Sequence, residues 1–463
     1  MYHNYIVGNQ QPSVVTSAVH RPPSIHQKHM PLNRRRFLES AAVLGAGSLA
    51  AACHTDGATY SATIGNNPGE IPDVIKALKP MKDGVVPISE DERKDRIAKA
   101  QKLMNEQKID AIFMEGTTSC FYYTGMRWGQ SERTFGVVIP ANGAICYVCP
   151  GFEEDRAREL LKPVYGNEVR VWQEDESPYA VIAGIVKDRG QKYHRIGVEE
   201  RVRFFIADGI RKAASGSEVV DARPITAGCR VIKSKAEIAL MQRANDVTIA
   251  AYKAGLQTLR EGMPQDELQR NIMAGFTALG FPGFVSVQFG KYTAIPHGSA
   301  TPQKLKEGDV VMIDDGVQVE GYASDITRTV VFGKATARQT EVWTKELEAQ
   351  TAAFKAIKIG APCESVDAAA RKVITDGGFG PGYKLPGLPH RTGHGIGLDG
   401  HEWTNFVKGN TTPIAVGMCF SDEPTIAVPG EFGIRLEDCV YVSEDGPHFF
   451  SKPSVAIDKP FAD

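Results

Sequence analysis

The chain has 463 residues, a formal net charge of -2, 42% hydrophobic and 23% charged residues. That length exceeds one ordinary core, so two domains are expected. The near-neutral balance gives no electrostatic reason for a nucleic acid or an anionic membrane as partner, and no stretch after residue 53 is long and apolar enough to span a bilayer.

The first 53 residues read as a leader. Asn33-Arg34-Arg35-Arg36-Phe37-Leu38 precedes a weakly apolar run, Ser40 to Ala52, of the length of a secretory h-region. The paired arginines followed by Phe-Leu resemble a twin-arginine export signal. The expectation is therefore an exported, periplasmic protein cleaved near Cys53, after Ala50-Ala51-Ala52. A basic, Ala-rich disordered tail is the plainer alternative. Leu49 to Cys53 resembles a stretched lipoprotein box with Leu one place too far upstream, which makes Cys53 a candidate lipid anchor. Residues 54–87 are rich in Gly, Pro and polar residues and read as a tether.

From Ile88 an α/β pattern begins, expected to form a three-layer N-terminal domain over 88–228. Glu90 to Lys108 has apolar residues at helical spacing, and Ile109 to Met114 is a strand candidate. Phe135 to Pro140 and Ala144 to Val148 flank the hairpin signal Ala141-Asn142-Gly143. Helices are expected near Phe152 to Leu161, Tyr179 to Arg189 and Phe204 to Ala214, with a strand at Arg195 to Val198. Cys146 and Cys149 form the only close pair among eight cysteines; with no second CxxC, buried structural thiols are favoured over a zinc site.

A second domain, 229–463, is expected to be α+β, with helices on a curved antiparallel sheet. Ser234 to Arg260 reads as one long amphipathic helix, Gly262-Met263-Pro264 breaks it, and Gln265 to Leu279 continues. Strands dominate from Val285, with helices at Gln339 to Lys358 and Cys363 to Thr375.

The chemistry concentrates in this domain. A turn at Glu320-Gly321 would pair Val310 to Gly316 with Ile326 to Phe332, so that Gly316 faces Asp325. Asp314 then shares a face with Asp325, at a diagonal spacing of about 7–8 Å, and Asp315 points away. A three-residue loop, Pro429-Gly430-Glu431, would set Glu423 opposite Glu437. With His394 between two glycines, these four carboxylates make a ligand set for two divalent metals of the Mn, Fe, Co or Zn type, manganese first. Such carboxylates would repel one another without metal. A water held between two such ions is a nucleophile at neutral pH, which points to a metal-dependent hydrolase. His297 and His401 are candidates to hold substrate or stabilise an oxyanion; a hydrogen-bonded structural role is the alternative for either, and at least as good for His390.

These motifs are similar to those of the pita-bread metallopeptidases, which include prolidase, aminopeptidase P and methionine aminopeptidase. The resemblance covers about residues 90–460, and Phe121-Tyr122-Tyr123-Thr124-Gly125 and Arg230 to Ile238 resemble the family's N-terminal creatinase-like domain and the start of its catalytic domain. It implies an α/β creatinase-like domain followed by an α+β pita-bread catalytic domain. It also implies that Asp325 and Glu437 bridge two metals, that Glu423 relays protons for a metal-bridging hydroxide, and that His297 and His401 position the scissile amide. Arg435 would orient the bridging carboxylate or meet a substrate carboxylate. The implied substrates are short peptides with proline after the cleaved bond, cut by a dipeptidase or an aminopeptidase, and dimers are common in the family. Two departures bear on substrate preference: Glu423-Pro424-Thr425-Ile426-Ala427 stands where the family reads Glu-Pro-Gly-Ile-Tyr, and Asp314-Asp315-Gly316 where it often reads Asp-Ala-Gly. A non-peptide substrate on the same metal site and a non-catalytic binding module remain as competing readings; intact ligands argue against the second.

Overall fold

The computed structural model describes residues 69–462. The leader, with its twin-arginine-like motif and Cys53, and the first part of the tether lie outside the described residues. No helix among the described residues is long and apolar enough to cross a membrane.

Residues 73–85 fall in the stretch expected to be tether, but they are packed. The helix Asp73–Lys76 buries Ile75 at 1% exposure, and Leu78, Met81 and Val85 lie against the same core. Met81 N donates to the Leu279 carbonyl (2.9 Å), and Arg243 Nη1 to the Met81 carbonyl (2.8 Å). Gly and Pro punctuation masked apolar residues too widely spaced to show a period.

Six strands follow: β1 (Ala111–Glu115), β2 (Gly136–Pro140), β3 (Cys146–Pro150), β4 (Glu168–Trp172), β5 (Arg195–Val198) and β6 (Glu218–Asp221). They form one mixed sheet in the order β4-β3-β2-β1-β5-β6. Alternation assigns its two faces. Ile112, Met114, Val137 and Ile139 pack in the core shared with Ile97, Ala100 and Met104 of the helix Glu90–Gln107, whose N-cap Ser89 accepts from Glu92 N. Ala111, Phe113, Val138 and Val148 pack instead with Ile182 and Ile185 of Pro178–Asp188 and Ile206 and Ile210 of Phe204–Ala213. The expected three layers are present. β4 and β6, unforeseen in the sequence, are the two edge strands: short, partly exposed and flanked by charges, they lack an apolar run. Cys146 and Cys149 are fully buried in β3 and belong to opposite faces of the sheet, so this CxxC supplies no joint thiol site.

The second domain starts with Lys235–Leu256, held by a capping box in which Ser234 and Glu237 satisfy each other's backbone N–H. With Gln265–Leu279 it covers a sheet of β7 (Gly283–Phe289), β8 (Val310–Val319), β9 (Tyr322–Ala323) and β10 (Arg328–Val331). The helices Ala337–Ala356 and Glu364–Asp376 share a second core with β13 (Cys419–Asp422), β14 (Thr425–Val428), β15 (Phe432–Arg435) and β16 (Asp438–Ser443). There β12 (Glu402–Phe406), β11 (Gly393–Gly395), β13, β16 and β17 (Gly446–Phe449) form one sheet, and β14 and β15 a two-stranded ribbon. All pairings in this domain are antiparallel.

The one curved sheet expected here is divided because two long hairpins lose their ladder midway. β8 pairs with β9 around Glu320-Gly321, both at positive φ as a tight hairpin turn requires, and again with β10 in the same register. β13–β16 and β14–β15 likewise share one register, interrupted at Glu423-Pro424 and Leu436-Glu437. Pro424 has no N–H to give the ladder.

Ile75→Ala is expected to destabilise the protein by about 2–4 kcal/mol in denaturant unfolding, as for other fully buried aliphatic truncations. A loss below about 0.5 kcal/mol, typical of surface positions, would return the segment to a tether.

Candidate metal centre

The two ladder breaks bring the predicted residues together. Asp314, Asp325 and Glu437 offer oxygens within 4.8 Å of one another; so do His394, Glu423 and Glu437, and a third group joins Asp325, His394 and His401. Asp315 is in none of these groups. Its φ of 91° is unusual for a non-glycine residue, and its carbonyl accepts from Tyr252 Oη (3.1 Å) and Ile326 N (3.1 Å). Asp314, the choice by strand parity, is the one that joins Asp325 and Glu437.

His394 is 1% exposed. Its Nδ1 lies 3.0 Å from the Gly395 carbonyl, which can only accept, so Nδ1 carries the hydrogen and Nε2 presents a bare lone pair. That Nε2 lies 3.1 Å from Glu423 Oε1 and 3.7 Å from Asp325 Oδ2, and it is a buried atom without a hydrogen-bond partner. Glu437 Oε1 is a second such atom. Burial holds the imidazole neutral, its pKa pushed well below the ordinary range.

Burial, and then neighbouring negative charge, pushes the carboxyls of Asp325 and Glu437 well above their ordinary range, and burial raises Glu423 to about 7. Thr327 Oγ1 stands 2.6 Å from both Asp314 Oδ1 and Glu437 Oε2, and its single hydrogen can serve only one of them. Ser421 Oγ donates to Glu423 Oε1 (3.1 Å) and accepts from His394 N (3.0 Å). The nearby Cys439 thiol donates to the Asp325 carbonyl (3.1 Å), so it is not a donor to the cluster. A set of oxygens and one imidazole, with unpartnered acceptors and surplus negative charge, fits hard to borderline divalent ions.

Arg435 is 3% exposed and makes three contacts: Nη2 on Asp314, Nε on Thr327 Oγ1 (2.9 Å), Nη1 on the Pro296 carbonyl (3.2 Å). It thus meets Asp314 directly, and its Nε lies 4.0 Å from Glu437 Oε2. His297, just after the 3-10 helix Gly290–Ala294, is exposed and is in none of the three donor groups. His401 is exposed too, its ring centroid 4.0 Å from that of His394. His390 is structural: Nδ1 bonds the Arg391 carbonyl (2.7 Å), Nε2 accepts from Thr425 Oγ1 (3.0 Å), and burial lowers its pKa to about 4. Thr425, where the family has Gly, thus holds His390.

Sequence reasoning missed Thr327 and Ser421. Each lies two residues from a predicted ligand, Asp325 or Glu423, and the same parity that selected the carboxylates could have found them.

The metallopeptidase family M24 model matches residues 239–444, and the creatinase/prolidase N-terminal domain model residues 96–232. An uncharacterized peptidase of Schizosaccharomyces pombe is 36% identical over 391 residues, covering 79% of this chain and 83% of its own. The Xaa-Pro dipeptidase of Lactobacillus delbrueckii subsp. lactis is 31% identical, covering 75% and 94%. The solved prolidase from Thermococcus sibiricus has 28% identity and a TM-score of 0.71, covering 78% of this chain and 97% of its own. The chain belongs to metallopeptidase family M24, with a creatinase-like N-terminal domain and a pita-bread catalytic domain.

Raised carboxyl pKa values mean that the fold binds more protons than the unfolded chain, so stability contributed by those protons is lost as pH rises through about 7, the value for Glu423. Chelator-treated protein should therefore melt several degrees lower at pH 8 than at pH 6, and saturating Mn²⁺ should remove most of that drop. Calorimetric scans showing identical melting with and without chelator would mean that no ion is held here.

Proposed function

We propose that this protein hydrolyses the bond preceding proline in short peptides, using two divalent ions, manganese foremost, held by Asp314, Asp325, His394, Glu423 and Glu437. The observation that carries this reading is the pair of donor groups, Asp314-Asp325-Glu437 and His394-Glu423-Glu437, which overlap at one buried carboxylate. That overlap is what two adjacent ions require, with Glu437 common to both. The named activities of the Lactobacillus dipeptidase and the Thermococcus prolidase support the substrate class.

Divalent ions in such a donor set polarise a carbonyl and make water nucleophilic at neutral pH. The remaining work falls to side chains. Glu423 would take a proton from the attacking water at Oε and return it to the departing proline nitrogen. Ser421 fixes that carboxylate. His401, beside His394, and His297 would donate hydrogen bonds to the scissile oxygen as charge develops on it. Arg435 keeps Asp314 aimed inward.

The test is hydrolysis of Ala-Pro and Ala-Pro-Ala with Mn²⁺ and with chelator. Metal-dependent cleavage is expected, with dipeptide or tripeptide preference separating dipeptidase from aminopeptidase. Glu423→Gln should remain folded and lose roughly 10²–10⁴ in kcat. No cleavage of either peptide by metal-loaded protein would sink the reading and favour a non-peptide substrate.

We also propose export to the periplasm, on the strength of Arg34-Arg35-Arg36-Phe37-Leu38 alone. Replacing Arg34 and Arg35 with Lys should leave precursor in the cytoplasm; unchanged fractionation would refute it.

A further inference from the structure

Asp422 and Asp438 stand opposite each other in β13 and β16, one residue from Glu423 and Glu437 respectively. Successive side chains along a strand take opposite faces. The two aspartates are in none of the donor groups and meet the helix Ala337–Ala356 instead. Gln350 of that helix donates to Asp438 Oδ2 (3.2 Å) and to the Asp422 carbonyl (3.4 Å). Glu346 lies one turn earlier on the same stripe, which is otherwise apolar: Val342, Ala349 and Ala353 belong to the second core.

These three carboxylates differ in what satisfies them. Asp438 Oδ1 takes Arg328 Nη2 (2.7 Å) and Ser451 Oγ (2.5 Å), and its Oδ2 takes Gln350. Asp422 and Glu346 are both 0% exposed, and all of their carboxylate oxygens are buried without a hydrogen-bond partner. Neither makes an ion pair among the described residues; the guanidiniums of this region serve other carboxylates, Arg328 on Asp438 and Arg435 on Asp314. Burial, and then the charge of Asp422, pushes the Glu346 carboxyl well above its ordinary range. An uncompensated pair of charges in such a core is far costlier than an apolar pair of the same size.

We propose that Asp422 and Glu346 hold a hard cation of the Ca²⁺ type between the helix Ala337–Ala356 and the back of β13. Donor chemistry supports that ion. The free atoms are all carboxylate oxygens, with no imidazole or thiolate in the set. One divalent ion cancels the charge of the pair, and Ca²⁺ takes carboxylates at irregular angles where Mg²⁺ demands a regular octahedron. A single shared proton serves one oxygen of each acid, whereas a cation between them engages the rest as well. Such an ion fastens the helix to the strand that leads into Glu423. It touches no substrate, so the site is independent of the Xaa-Pro reading.

The experiment melts the full chain, loaded with about two equivalents of Mn²⁺, across a titration of Ca²⁺, with parallel titrations of Mg²⁺, Na⁺ and K⁺. Bound metal is counted by mass spectrometry before and after. Ca²⁺ is expected to raise the melting temperature by several degrees, saturably, and to be retained at about one ion per chain. Glu346→Gln and Glu346→Leu, still folded and still holding their Mn²⁺, should lose both the rise and the ion. A rise with Mg²⁺, Na⁺ or K⁺ instead, lost in the same variants, keeps the site and names its ion. A rise that survives in both variants puts the ion elsewhere and overturns the proposal. Indifference of the wild type to every salt, with no third ion in the protein as purified, overturns it too; the two acids then share protons.

Discussion

Four carboxylates forced toward one another in a buried place are the constraint around which the catalytic domain is organised. Asp314, Asp325, Glu423 and Glu437 converge with a single guanidinium, that of Arg435, among them, so most of their charge has no partner inside the protein. Left alone they would separate or take up protons. They cannot separate, because each sits in or beside a strand held at fixed register, and hydroxyls of Thr327 and Ser421 pin individual oxygens; the carboxyls of Asp325, Glu423 and Glu437 are pushed up instead. The protein stores an electrostatic conflict that protons relieve in part and that bound cations would relieve further.

Much of this was legible in the sequence because strand parity is a strict code. Side chains alternate with period two, so a tight turn at Glu320-Gly321 and a three-residue loop around Gly430 were enough to say which carboxylates share a face. The structure keeps both registers. The code says nothing about groups that meet through loops or across domains. Arg391 touching His401, and Arg201 and Arg223 lining a cavity with both from the N-terminal domain, leave no local pattern. Arg435 was ambiguous for a different reason: its sequence position fixes where its backbone goes, but not that its guanidinium meets Asp314, Thr327 and the Pro296 carbonyl. Ile75 and its neighbours were hidden because four apolar residues spread over a Gly- and Pro-containing stretch do not make a helical or strand period.

The junction between the domains is also part of the site. The helix Arg223–Arg230 ends the N-terminal domain, and within a few residues Arg230 and Lys233 both grip Glu402. Glu402 also accepts from the backbone N–H groups of Leu398 and Asp399. Burial pushes the Glu402 carboxyl up, but Arg230 and Lys233 together outweigh it and draw its pKa down to about 2, so these ion pairs persist through the whole physiological range. The loop that presents His401 is therefore fastened from outside its own sheet, and the N-terminal domain acts as a brace for a residue it does not contain.

The interrupted β13–β16 hairpin has a consequence for how such a chain can change over evolutionary time. Glu423 and Glu437 oppose each other because the intervening ribbon turns over three residues at 429–431. One inserted or deleted residue on either side of that turn would slip the register, and a one-residue slip sends a side chain to the other face of its strand. The tip of the ribbon contributes no donor to the cluster, and its composition can drift. Its length cannot, unless a second indel on the facing strand compensates for the first.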